Sequence, residues 1–89
     1  MPGYDIHVLV EMTGLDELVI VECVQREVVH VRTAEAGRLL LEDSDIARLR
    51  RVRRLMTDFG IGLDAVALIM ELQDEIARLR GRSVESDGI

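Results

Sequence analysis

The chain has 89 residues, with 17 acidic and 11 basic side chains for a net charge of −6, 48% hydrophobic residues, one cysteine and two aromatics. That length gives one domain, which buries about 60–65% of the surface its unfolded form exposes and so leaves no room for a deep catalytic cleft. Cys23 alone excludes an internal disulfide, and Tyr4 and Phe59 are too few for a platform that stacks nucleic-acid bases.

The first forty residues carry two conflicting signals. Ile6 to Val10 and Val19 to Val24 have the β-branched composition of strands. Thr13-Gly14 followed by Leu15-Asp16-Glu17-Leu18 instead resembles a turn between two short helices, with Leu15, Leu18, Val19 and Glu22 at helical spacing. Propensity alone leaves residues 5–12 and 16–27 open between helix and strand. Val28 to Val31, a turn near Thr33 to Gly37, and Arg38 to Glu42 then read as a β-hairpin.

The pattern becomes clearer downstream. Ile46, Leu49, Val52, Met56 and Phe59 recur at three- and four-residue steps with arginines between them, which predicts an amphipathic helix from about Asp45 to Phe59. Asp43, Ser44 or Asp45 can cap its start by accepting free backbone N–H groups, and Gly60 can take the left-handed conformation that ends it. A second helix, about Leu63 to Arg80, has Asp64 in its first turn and Arg78 and Arg80 in its last, as its dipole favours. Leu68, Leu72, Ile76 and Leu79 form one apolar stripe on it, and Val66, Ile69, Met70 and Gln73 form a second. One stripe suffices for an intramolecular core, so the other is available for helix packing against a partner or a second copy of the chain. Asp74 and Arg78 stand at i,i+4 as a surface pair. The expected organisation is helix, turn, helix, hairpin, helix, helix in one domain over residues 1–80, with 81–89 a flexible tail.

Charge is distributed unevenly along this order. Residues 1–47 set Arg26, Arg32 and Arg38 against ten acids, a net of −7, whereas 48–56 hold five arginines and no acid. Residues 57–77 have five acids and no base, and 78–89 add a net of +1. The basic island of Arg48, Arg50, Arg51, Arg53 and Arg54 has two readings: a phosphate-binding stripe, or a solvated face paired with its acidic neighbours. The acidic balance of the whole favours the second.

Neither a catalytic nor a metal site emerges. His7, His30 and Cys23 are the strong nitrogen and sulfur ligands, and they lack the short paired spacing of a zinc site. Cys23 lies among apolar residues with no adjoining base to lower its pKa, which marks a core residue. There is no phosphate-cradling glycine loop and no nucleophile elbow, so the chain is expected to be no enzyme and to need no cofactor. No apolar run approaches the roughly 18 residues that span a bilayer, and no basic segment precedes one, so the expected location is the cytoplasm.

The block Asp45-Ile46-Ala47-Arg48-Leu49 through Leu55, then Asp58-Phe59-Gly60-Ile61-Gly62-Leu63-Asp64-Ala65-Val66, Ile69-Met70-Glu71-Leu72 and Glu75-Ile76-Ala77-Arg78-Leu79-Arg80, resembles the CbpM chaperone-modulator family within the larger MerR-like group. The resemblance covers residues 42–80 most closely. It implies a mainly α fold: a MerR-like winged helix-turn-helix, with a small two-stranded β wing at residues 28–42 and two C-terminal helices. It further implies an inhibitor of a CbpA/DnaJ-type co-chaperone that binds the J domain, whose basic helix and His-Pro-Asp loop receive Hsp70.

An acidic module can cover that face by complementary charge, with aliphatic contacts supplying affinity. Candidate contacts are Asp5, Glu11, Asp16 and Glu17 in the first half, or Asp64, Glu71, Asp74 and Glu75 on the last helix; Leu68, Leu72, Ile76 and Leu79 are candidates for a homodimer. The alternative is a DNA-binding MerR-like regulator similar to the heat-shock repressor HspR. In such a protein the segment Asp16 to Glu27 would read DNA, yet it carries four acids against Arg26 alone, which disfavours nucleic acid as a partner.

Overall fold

The computed structural model describes the backbone of residues 3–87 and side chains through residue 81. Both ambiguous N-terminal segments are helices, α1 over Ile6–Thr13 and α2 over Glu17–Gln25. Burial overrides strand propensity here: Leu9 on α1, and Ile20 and Cys23 on α2, lie at helical spacing and are almost completely enclosed. Leu15 in the intervening turn is buried too, but Leu18, expected on the same apolar face, points to solvent.

The helix-turn-helix junction is held by local hydrogen bonds. The Asp5 carboxylate caps α1 by accepting the His7 N–H at 2.8 Å. At the other end Gly14 adopts φ 76° and donates its N–H to the Val10 carbonyl. Thr13, buried in the turn, donates its hydroxyl to the Leu9 carbonyl at 2.7 Å and accepts the Leu15 N–H at 3.2 Å.

The wing differs from the expected two-stranded hairpin. Three two-residue strands, β1 (Gly3–Tyr4), β2 (Arg32–Thr33) and β3 (Leu39–Leu40), form an antiparallel sheet in the order β1-β3-β2. Leu40 pairs with both Gly3 and Arg32, and Leu39 with Tyr4 and Thr33. The chain start thus supplies a third strand that two residues of sequence could not signal. Val28 and Val29 belong to no strand; they are buried in the core, and pairing begins only at Arg32. Between β2 and β3 a single 3-10 turn, Glu35–Gly37, reverses the chain with Ala36 and Gly37 at positive φ.

Helix α3 spans Asp43–Phe59 and α4 spans Leu63–Asp87. The N-cap of α3 is Glu42 rather than the three residues the sequence offers; Asp45 lies one turn inside and accepts the Glu42 N–H at 3.1 Å. Gly60 ends α3 at φ 61°, as expected. Ile46, Leu49 and Val52 are buried, but the stripe fades toward the end of the helix, where Phe59 is 69% exposed. Helix α4 continues beyond Arg80, because Gly81 costs a helix only about 1 kcal/mol relative to alanine and does not stop it. Residues 88–89 of the expected tail lie outside the described residues.

The core gathers Leu9, Ile20, Cys23, Val29, Leu49, Val52, Val66 and Met70, with α3 in contact with both α1 and α4. No helix among the described residues is long and apolar enough to cross a membrane.

Candidate partner-binding surface

With Ile20 and Cys23 turned inward, α2 presents Glu17, Leu18, Val21 and Glu22 to solvent. Leu18 is 77% exposed, the most exposed large apolar side chain among the described residues. On the neighbouring helix α1, Val8 and Glu11 are exposed as well. The outward surface of the helix-turn-helix therefore combines aliphatic side chains with carboxylates. Sequence reading selects Glu11 and Glu17 but not Glu22, Leu18, Val8 or Val21; only the split between inward Ile20 and Cys23 and outward Leu18 and Val21 reveals them.

The two sets of candidate acids have different surroundings. Of the first, Asp5 is engaged in capping α1, while Glu11, Asp16 and Glu17 are exposed and form no ion pair among the described residues. Of the second, three are already neutralised. Asp64 meets Arg26 at 2.5 Å. Asp74 receives both Nη groups of Arg48 at 3.0 Å, and Arg48 Nε donates to the Val28 carbonyl at 2.7 Å. Glu75 pairs with Arg78, so the expected Asp74–Arg78 pair is replaced by two others. Glu71 alone is exposed without an ion pair among the described residues.

The Arg48 hydrogen bonds hold the Asp74 carboxyl below its ordinary pKa, against a smaller opposing effect of burial, with the Arg48 and Arg51 charges assisting. This forked contact connects the chain following α2 to α4 through α3. A planar guanidinium suits it where a lysine could not reach three acceptors at once.

The stripe Leu68, Leu72, Ile76 and Leu79 lies 45–56% exposed along α4, while Leu63, Val66 and Met70 enter the core. Past Met70 every described residue of α4 is exposed except half-buried Gln73, whose Oε1 is enclosed without a hydrogen-bond donor among the described residues.

His7 and His30 are exposed. Cys23 is wholly enclosed; burial above all, aided by Glu22 and opposed by Arg26, pushes its thiol up to about 11. Among the described residues no group of three or more His, Cys, Asp or Glu is placed to hold a metal ion.

Comparison with known proteins agrees with this architecture. The family described as "MerR HTH family regulatory protein" matches residues 4–85. The chain is also similar to "Putative heat shock protein HspR" of Streptomyces coelicolor, 34% identical over 85 residues covering 94% of this chain. The match spans 56% of that protein's own length.

Proposed function

The chain belongs to the MerR helix-turn-helix family of regulatory proteins, and on that premise we propose that it regulates by binding a protein: it inhibits a CbpA/DnaJ-type co-chaperone by covering its J domain and competing with Hsp70. The observation that carries this reading is the exposed face of α2, where Leu18 and Val21 stand between Glu17 and Glu22. A helix that enters the major groove needs base to approach phosphates; this one would be repelled. The same face suits the basic helix of a J domain, because opposite charge steers association while the aliphatic centre supplies affinity. The similarity of residues 42–80 to the CbpM chaperone modulators supports this choice. Of the two candidate faces, the unpaired acids Glu11, Asp16 and Glu17 are the better contacts, since Asp64, Asp74 and Glu75 already have partners.

Titration of a J domain encoded in the same genome provides the test. Micromolar binding is expected, and Glu11→Lys with Glu17→Lys should weaken it at least about tenfold while Glu71→Lys leaves it intact. Absence of binding at tens of micromolar, about −6 kcal/mol or weaker, would exclude the J domain as partner.

A second reading, a DNA-binding regulator, is favoured by the similarity to HspR and by the arginines of α3. It requires a mobility shift with a duplex that weakens steeply with salt. In either case the α4 stripe pairs with a second copy of the chain. Leu72→Glu should then convert a dimer to a monomer in light scattering, and a parent chain that is already monomeric at about 100 μM would contradict the pairing.

A further inference from the structure

Arg50, Arg53 and Arg54 share the side of α3 that faces the end of α1, and together with Met12, Thr13 and Ala47 they line an open basin of about 390 Å³. Two of the three are seated by the backbone they cross. Arg50 donates its Nε to the Met12 carbonyl at 3.2 Å, which leaves both Nη groups unused by that bond. Arg53 lies over Gly14 so closely that a Cβ there would come within 2.4 Å of its Nε. The glycine that closes α1 therefore also clears the space this guanidinium occupies. In a chain with 17 acids and 11 bases, none of these three arginines forms an ion pair among the described residues. The Thr13 hydroxyl is committed to the helix turn, so the polar donors of the basin are guanidinium groups.

We propose that this basin is a binding seat for a small, multiply charged phosphate ligand, such as a pyrophosphate or a phosphorylated metabolite. Guanidinium forks match tetrahedral oxyanions through paired N–H donors, and three adjacent positive charges favour a ligand with more than one negative charge over a single carboxylate. Met12 and Ala47 give the floor an apolar part against which an organic group can rest. The acidic face that begins at Asp16, two residues beyond Gly14, repels a long polyanion but leaves a compact one room.

Calorimetric titration of the full chain with pyrophosphate at low ionic strength tests the seat. Saturable binding tighter than about 1 mM is expected. Arg53→Glu should weaken it at least about tenfold and Arg54→Gln should weaken it measurably, whereas Arg80→Gln on α4 should leave it unchanged. Circular dichroism checks that Arg53→Glu folds, and exposed Arg54 keeps the test decisive if it does not. Lack of saturation by about 1 mM, insensitivity to both basin variants, equal loss in Arg80→Gln, or binding of duplex DNA without pyrophosphate would each overturn the proposal.

Discussion

Leu49→Ala should destabilise the protein by about 3–4 kcal/mol and lower its midpoint of thermal unfolding by roughly 15–25 °C. Leu49 is fully enclosed on α3, the helix that touches both α1 and α4, so truncation opens a void where the core cannot easily close. The loss includes both the transfer energy of the removed carbons and the cavity left behind. Against a total stability of about 5–15 kcal/mol, this is a large share for a domain of 89 residues. Leu72→Ala on the same molecule provides the contrast. It removes the same atoms from a half-exposed position and should change monomer stability by no more than about 0.5 kcal/mol. Denaturant unfolding of the two variants measures the difference, and a Leu49→Ala protein within about 1 kcal/mol of the parent would contradict the assignment of α3 as the centre of the core.

Asp45→Ala should cost about 2–3 kcal/mol, or roughly 10–15 °C in the unfolding midpoint. Its carboxylate is buried and accepts two backbone donors, the Glu42 N–H at 3.1 Å and the more weakly held His30 N–H at 3.4 Å. The first bond closes the start of α3, and the second ties it to the chain leading into β2. An alanine there leaves part-buried donors unpaired, a larger penalty than the loss of an exposed cap. Asp43→Ala, two residues earlier in the same first turn and exposed, should be nearly neutral by comparison. Equal effects from the two substitutions would show that the carboxylate does not join the wing to α3.

Helix α3 was legible because its apolar residues repeat every 3.6 positions with arginines between, and because Gly60 can end it in a conformation few other residues accept. Helices α1 and α2 were not, since Ile, Val and Cys suit a strand equally well until Leu9, Ile20 and Cys23 meet a common core. The strand β1 depends on a pairing between Gly3–Tyr4 and Leu39–Leu40, a contact some 36 residues apart that no local pattern encodes. The same distance effect misplaced Val28 and Val29: their β-branched composition suggested a strand, but their work is to plug the core beside α2.

The candidate surface was readable in sign but not in position. Sequence places acid on the helix where a DNA reader needs base, and that follows from residue identity alone. It cannot separate Glu17 from Asp74, because the Arg48 fork that occupies Asp74 comes from a residue 26 positions away. Nor could it see that Leu18 faces outward, since Leu15, Leu18 and Val19 share a spacing compatible with either side of a short helix.

The enclosed thiol of Cys23 makes the protein its own clock. Burial pushes the thiol up to about 11, so the reactive thiolate is scarce at neutral pH, and packing shields what forms. Alkylation must therefore wait for the core to open, and its rate counts those openings without a dye, a tag or a denaturant. A single sulfur atom thus allows the folding equilibrium of this small domain to be followed in a crude extract, among the other proteins of the cell.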